Sequence, residues 1–575
     1  METIKEFCSQ ETIEYKQYLT SLTELLDKFP DSSEYIDDLS FQQTLRFVNI
    51  PICFKLNKIA EINQTHKIVL IKGTVIRAGI AKSMSKVLSY RCKECKFVTE
   101  VQSCSSNYFM TENQMKCQNI VIKQQKYNPF FKQKIQGFKK QKCNSTAFEK
   151  LEDSKLIDYQ EIKIQDTYTT IEPGTISNSI RVMLEGEFVN SCNSGDDVII
   201  GGLVTQRWKM MKQIPQITLW IDCKYLRLQN QLKLLQTIDD DQLNSTFQHR
   251  NQVINSFIPE LCNQWQVKLG TLLSLIGGVT KSNNGITVRG DSHLLLIGEP
   301  GTGKSTFLRN ACTISEKSIY VNGIGTTQAG LTLSFVKEGS DWMIEAGALV
   351  MADQGLCCID EFNLLNQQSQ QSILEALEQQ TISSSKAGIS TKLNARTTII
   401  AACNPVEQVY NSKLSIQYNS GLSTPLLSRF DQIYILKDQH DFELDKQLCD
   451  HIFNLNNNKQ NYTLKQLKQY IIYVKNTFQP IMNEDCQQVI QKYFTFIRQQ
   501  TQQVTARKLE SLIRLSEAHA RLCSKRFIDE FDVVTVIALI ESTQFTGIYP
   551  EFQDCLTEGV TVDKIQDMWN HLKNI

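Results

Sequence analysis

The sequence predicts a multidomain chain: a helical N-terminal subdomain, a small antiparallel β barrel carrying a cysteine-bearing insertion, an α/β domain on a parallel sheet, and a helical lid. Three observations predict it. The 575 residues exceed what one hydrophobic core holds. Short β-rich, glycine-punctuated runs occupy the first part of the chain. From about residue 257 the texture becomes helix, strand, loop, helix, which suits a parallel sheet.

Residues 1–64 alternate helical patterns such as EYKQYLTSLTELLDKF with polar breaks. Residues 65–230 hold KIVLIKGTVIRAGI, SGDDVIIGGLVTQRWKM and QITLWIDCKYLRL, three strand-like runs of a barrel, with the insertion at about 91–146. Residues 231–256 are polar and read as a linker running into a helix, and 257–440 form the α/β core. From 441 to 545 helical periods dominate; ARKLESLIRLSEAHARL sets Leu509, Leu512, Ile513 and Ala520 on one face. A short tail, 546–575, closes the sequence.

Lys plus Arg and Asp plus Glu are both 61, so net charge points to no partner and any nucleic-acid contact must come from local basic surface. The first residues lack an apolar signal core, and no apolar run approaches the ~20 residues a membrane helix needs. A soluble, intracellular protein without membrane contact is expected. The 18 cysteines are scattered, which reads as reduced thiols and metal ligands rather than a disulfide framework.

The chemistry starts at HLLLIGEPGTGKST. An apolar strand runs into G-x-x-x-x-G-K-[ST] and a helix follows, the context a phosphate loop requires. Gly298, Glu299, Pro300, Gly301, Thr302, Gly303, Lys304, Ser305 and Thr306 form it. The glycines let backbone N–H groups face phosphates, Lys304 reaches the outer phosphates, and Ser305 holds Mg²⁺. ATP and Mg²⁺ are therefore the expected cofactors. The apolar run GLCCI ends in Asp360 and Glu361; the first suits metal binding and the second a general base acting on water, or both cap a strand end in solvent. The strand TTIIAAC ends at Asn404, where an amide can orient that water or simply make a turn before Pro405. Arg429 in PLLSRFD precedes a further strand. It reads either as a surface salt bridge or as an arginine finger for a neighbouring subunit, which requires a ring.

GEPGTGKS, LCCIDEFN, ILEALEQQTISSSKAGI, AACNP, PLLSRFD and ARKLESLIRLSEAHAR together resemble the minichromosome maintenance (MCM) helicases of the AAA+ superfamily, over most of 260–545 and more loosely over 66–230. Gly303, CCIDEFN and DYQEIKIQD look most like the ninth paralogue, a recombination and repair type. The resemblance implies an OB-fold for the barrel and a hexameric MCM ring that translocates on single-stranded or forked DNA. It also implies a partner similar to the eighth paralogue and a nuclear location. The function it implies is an ATP-dependent DNA helicase subunit in recombination and repair, with a role in replication also open; the alternative is a non-motor ATPase acting as a switch or loading factor.

Carried over residue by residue, the resemblance makes Asn404 a first sensor, Arg429 the finger and Arg507 a second sensor, with Arg514 two turns further along the same helix. LTLSFVKEGSDWMIEAGALV, about 331–350, looks like the helix-two insert hairpin, and Lys386 matches a DNA-contacting lysine at the tip of a second hairpin. The Arg and His that the family carries ahead of ALEQQ are replaced by Gln and Leu374. Arg207, Lys209 and Lys212 beside Trp208 are either a single-strand contact or a solvated hairpin with a core Trp. Cys92-x-x-Cys95 is a weak zinc spacing alone, but the resemblance adds Cys117 and Cys143 as third and fourth ligands of a zinc ribbon, with Cys104 as a substitute. Between them, 118–142 is lysine-rich and free of acids, a DNA-backbone contact or a plain loop.

Overall fold

The computed structural model describes residues 12–14, 46–48, 53–54, 56, 68–102, 117, 120–124, 138–143, 145–151, 155–167, 177–210, 215–228, 246–261, 264–283, 286–338, 341–386, 389–411, 413–437, 442–454, 462–500, 505–544 and 569. Two compact units emerge: Met1–Thr167 with Glu172–Gln229 and Val336–Ile344, and Asn230–Phe335 with Tyr168–Ile171 and Glu345–Ile575. The helical reading of 1–64 falls almost wholly outside the described residues, where only short strand segments such as Thr12–Glu14 and Arg46–Val48 appear.

The first unit is a five-stranded closed barrel. Its strands are β1 (Ile68–Gly79), β2 (Lys155–Gln165), β3 (Ser179–Glu185), β4 (Asp197–Met210) and β5 (Pro215–Leu228). β1 pairs antiparallel with β2 and with β4, β2 with β3, and β4 with β5, while β3 and β5 close the ring in parallel. That circuit, with one parallel seam, is a Greek-key barrel of the OB type. Strand alternation fills it: Val69, Ile71 and Val75, then Ile162 and Ile164, then Ile180, Val182 and Leu184 all point into one core. β4 and β5 form the hairpin that carries Arg207, Trp208 and Lys209. Alternation sets positions 207 and 209 on one face of β4 and 208 on the other, and Lys212 lies outside the described residues.

The second unit holds a five-stranded parallel sheet: β6 (Leu294–Gly298), β7 (Ser318–Asn322), β8 (Leu356–Asp360), β11 (Thr398–Cys403) and β12 (Gln432–Leu436). The spatial order is β7-β8-β11-β6-β12, every pairing parallel. β6, LLLIG, is buried along its whole length, which is the reason the sequence shows an unbroken apolar run there. Cys357 and Cys358 are buried strand residues. A two-stranded hairpin, β9 (Thr381–Lys386) and β10 (Ile389–Asn394), leaves the sheet with Lys386 opposite Ile389 at its tip. The strands Leu333–Glu338 and Asp341–Ala346 occupy the segment expected to form the insert hairpin.

Helices α1 (Trp265–Ile276), α2 (Lys304–Ile314) and α3 (Gln367–Gln379) belong to the sheet domain. α4 (Leu464–Thr477), α5 (Glu484–Gln500), α6 (Ala506–Leu522) and α7 (Glu530–Gln544) form the lid. α4 starts on a complete capping box between Thr463 and Gln466. The single apolar face expected for α6 is too narrow. From Ser511 to Leu522 nearly every residue is buried, including Arg514, Glu517, His519 and Arg521. Each of these polar groups has a partner: Arg514 with Asp431, Glu517 with the Val279 N–H, His519 with Asp532, and Arg521 with the carbonyls of Gly277 and Gly278. Pairing offsets the desolvation that would otherwise expel them, so a polar-looking helix becomes the centre of the lid. Trp569, from the segment read as a tail, packs into this core.

Candidate active site and metal centre

All elements of the phosphate site sit at the carboxyl ends of parallel strands, where such sheets bind ligands. β6 delivers the glycine loop, β8 the acid pair, and β11, lying between them, delivers Asn404. Gly301 and Gly303 have φ of 88° and 86°, the left-handed region. Gly303 also serves as N-cap of α2, and a Cβ there would stand 2.9 Å from Leu261 Cδ2. α2 continues because Phe307, Leu308, Ala311 and Ile314 bury one helical stripe.

Lys304 is buried, and its Nζ donates to the carbonyls of Gly298 at 2.7 Å and Glu299 at 2.6 Å. Burial lowers its pKa from the ordinary lysine value, with nearby anions opposing the shift. Ser305 Oγ donates to Asp360 Oδ2 at 2.7 Å, and Tyr320 OH donates to the same oxygen at 2.7 Å. Asp360 Oδ1 accepts the N–H of Glu361 at 3.0 Å. Glu361 itself sits at φ 52°, a left-handed conformation costing a non-glycine residue on the order of 1–3 kcal/mol. The close approach of Gly323 accommodates it, since a Cβ there would lie 2.3 Å from the Glu361 carbonyl oxygen. Glu361 Oε2 is buried and has no hydrogen-bond partner among the described residues. The buried carboxylate oxygen beside the phosphate loop is thus left open to a further hydrogen-bond partner. The Asn404 carbonyl accepts from Asn363 Nδ2 at 3.3 Å, stitching that loop to the turn after the acid pair.

Arg429 and Arg507 assemble elsewhere in the unit. Arg429 Nη1 donates to the Pro425 carbonyl at 2.7 Å, and its Nη2 pairs with Glu378 Oε2. Arg507 Nη2 pairs with Glu378 Oε1. The Arg429 contact holds the Glu378 carboxyl below the usual glutamate range. Arg514 is placed differently: its side chain is 3% exposed and bonds Asp431 at 2.5 Å. Of the two candidates on α6, only Arg507 is presented at the surface, with a side chain 38% exposed. Glu378 and Tyr320 were not singled out from sequence. Glu378 lies in ALEQQ, but its partners stand 51 and 129 residues away, a separation that no local pattern reports.

In the first unit, Cys92, Cys95, Cys117 and Cys143 converge, with all four Sγ atoms within 4.8 Å of one another. Cys92 and Cys143 are 4.0 Å apart and Cys95 and Cys117 3.4 Å. A tetrahedral Zn–S₄ site with bonds of about 2.3 Å has sulfur separations of about 3.8 Å, so the donor set fits that ion. The backbone N–H of Cys95 draws the Cys92 thiol down to about 6, while burial and the Cys95 side chain push the Cys143 thiol up. Cys104 lies outside the described residues. The insertion between Cys117 and Cys143 contains an antiparallel pair, Ile120–Gln124 with Phe138–Lys142. A second group, His519, Cys523 and Asp532, is buried in the lid. There, however, His519 Nδ1 donates to Asp532 Oδ1 at 2.8 Å, Arg250 lies 3.3 Å from His519 Nε2 and Lys525 3.5 Å from Asp532 Oδ1, so the histidine and the carboxylate already have protein partners.

An OB-type barrel followed by a phosphate-loop ATPase core and a helical lid defines a AAA+ ATPase with a nucleic-acid-type barrel at its front. Residues 58–207 match the MCM OB domain, 238–456 the MCM P-loop domain and 465–544 the MCM AAA-lid domain. The chain belongs to the MCM family. It is 36% identical over 504 residues to "Probable DNA helicase MCM9" of Arabidopsis thaliana, covering 83% of this chain and 75% of that protein. It is 29% identical over 582 residues to "Probable DNA helicase MCM8" of the same plant, covering 84% and 69%. Against "Minichromosome maintenance protein MCM" of Saccharolobus solfataricus it is 33% identical over 410 residues, covering 68% and 60%.

Proposed function

We propose that this chain is an ATP-dependent DNA helicase subunit that works in a hexameric MCM ring, in recombination and repair, inside the nucleus. The observation that carries this reading is a divided site. One part of the chain holds a cradle with a poised carboxylate, while Arg429 and Arg507 gather on a separate carboxylate, Glu378, at the surface. A cradle on one subunit and arginines on the next make a whole hydrolytic site, and a closed ring supplies every cradle with its arginines.

In this mechanism Gly298 to Thr306 wrap the nucleotide and Lys304 exchanges its carbonyl partners for the outer phosphates. Ser305 and Asp360, already bonded to each other, would hold Mg²⁺, which would neutralise charge on the phosphates. Glu361 takes the proton of the attacking water and Asn404 orients that water. Arg429, with Arg507, offsets the charge that develops in the neighbour's transition state. Lys386, exposed at the tip of its hairpin, grips DNA phosphate, and grip without base contacts suits a motor. Arg207 and Lys209 on the barrel hairpin, with Lys212 of the same stretch of sequence, add a second contact to the DNA backbone. Cys92, Cys95, Cys117 and Cys143 would hold a zinc ion, which would supply structural cross-linking there rather than catalysis. The similarity to proteins named MCM9 and MCM8 supports a ring shared with an MCM8-like partner.

Strand displacement on a forked duplex by the purified chain, alone and with such a partner, tests the reading. DNA-stimulated ATP hydrolysis without displacement in either pairing overturns it. Glu361→Gln should keep ATP and DNA binding and lower turnover at least ~10²-fold, since a positioned general base contributes about that much.

A further inference from the structure

We propose that Glu378 is a positioning residue that seats Arg429 and Arg507 side by side for the neighbouring subunit's nucleotide, and that helix α3 links this seat to the hairpin carrying Lys386. The inference rests on the divided-site reading above.

The seat is built from three distant stretches of chain. Glu378 lies near the end of α3, Arg429 on the turn before β12, and Arg507 in the first turn of α6. Each carboxylate oxygen takes one guanidinium. Two guanidinium groups brought together repel unless an anion lies between them. With Glu378 there, the trio keeps one net positive charge in a fixed geometry, which is what a phosphate group meets best. Arg429 depends on this contact for its direction. Its side chain is 15% exposed, Nη1 is tied to Pro425, and Nε is buried with no partner among the described residues.

The same helix holds the DNA hairpin. Glu375, three residues before Glu378, accepts both the N–H and the hydroxyl of Ser383 through Oε1, at 2.8 and 2.7 Å. Ser383 stands on β9, the strand that ends at Lys386. Residues three apart on a helix are neighbours, separated by about 4.5 Å along its axis. The base of the hairpin is fixed to the end of α3 as well, because Ala395 N–H donates to the Gln380 carbonyl at 2.8 Å. Ser369, Ile373, Ala376 and Leu377 pack the opposite stripe of α3 into the domain. The helix therefore moves as a unit, with the arginine seat and the hairpin tie one turn apart.

The test uses the full chain assembled with nucleotide, with single-stranded DNA as stimulant. Glu378→Gln keeps the side chain's shape and removes its charge. It should lower kcat about tenfold while KM for ATP stays within about twofold, the signature of an interaction made in the transition state. Mixing Glu378→Gln with Lys304→Ala should restore turnover several-fold above the sum of the two alone, because one variant keeps its cradle and the other its arginines. Arg429→Ala mixed with Lys304→Ala is the control. If the control pair fails to recover activity, the shared-site reading falls and takes this proposal with it. If the control recovers and the Glu378 pair does not, or if Glu378→Gln turns over at the native rate or faster, the seat alone is overturned. For the link, Glu375→Gln should cut the factor by which DNA stimulates hydrolysis at least ~threefold, a loss of coupling of about 0.7 kcal/mol; an unchanged factor overturns it.

Discussion

Two carboxylates in the ATPase unit each serve arginines, and they draw on the same two stretches of chain. Glu378 holds Arg429 and Arg507 with a side chain 45% exposed; Asp431 holds Arg514 at 2.5 Å and Arg289 at 3.8 Å with a side chain 4% exposed. Arg429 and Asp431 are two residues apart in PLLSRFD, and Arg507 and Arg514 lie two turns apart on α6. Burial separates their tasks. Asp431 also accepts the His293 N–H at 2.9 Å, and its ions cannot change partners without leaving a charge stranded in the interior. That seat fastens the lid to the sheet domain. Glu378 is far more open to water than Asp431, so on the divided-site reading its arginines can pass to another anion without stranding a buried charge. On the divided-site reading, similar chemistry serves cohesion in one place and exchange in the other.

The strongest way to break this comparison is to remove an arginine from the exposed seat. Arg429→Ala should lower DNA-stimulated phosphate release on the order of 10³-fold, the scale of a lost arginine finger. Its thermal melting should fall less than that of Asp431→Asn, since the carboxylate left behind, Glu378, is 45% exposed and water can cover it. Turnover that survives the substitution would deny the exposed seat any part in hydrolysis.

The buried seat should behave in the opposite way. Asp431→Asn leaves Arg514 and Arg289 without their anion and should cost about 3–5 kcal/mol in chemical denaturation. Glu378→Gln in the same assay should cost less than about 1 kcal/mol. Equal losses would mean that burial does not distinguish the two.

How much of this was legible follows from chain distance. GEPGTGKS and the Asp360–Glu361 pair are contiguous, each bound to a strand end by apolar runs, and their geometry came out where the residues implied. The parallel order that sets β11 between them was not written in any one segment. Arg429 and Arg507 could be named as candidates, but not their shared carboxylate, because 51 and 129 residues separate them from Glu378. Tyr320, which donates to Asp360, comes from a neighbouring strand that periodicity marks only as β. α6 misled for a related reason: periodicity sets Arg514 well away from the face of Leu509, Leu512 and Ile513, and only a distant carboxylate, Asp431, allows it to be buried. The cysteine cluster depended on four residues brought together across 51 positions, whereas its spacing spoke for only one pair.

The smallest expected effect is a pH dependence confined to the buried side. His293 Nδ1 accepts the Ile399 N–H at 3.1 Å, which requires that nitrogen unprotonated. Burial, then Arg289 and Arg514, holds its pKa well below the ordinary histidine value, and burial lowers His519 in the same direction. The sign follows directly. Between the ordinary and the folded values the unfolded chain binds a proton that the folded chain refuses. The contribution is therefore complete above about pH 6.5 and is lost as pH falls, with a slope of up to about 1.4 kcal/mol per pH unit for each histidine. Arg429 holds Glu378 below the usual glutamate range, so its own contribution is lost only near the bottom of that window, where the unfolded carboxyl begins to take up a proton. His293→Asn should remove one histidine contribution and make the loss of stability between pH 6.5 and 5 smaller, read by denaturation at each pH. A slope untouched by His293→Asn would mean that the ring is not kept neutral by its surroundings, and the buried seat would lose the feature that most separates it from the exposed one.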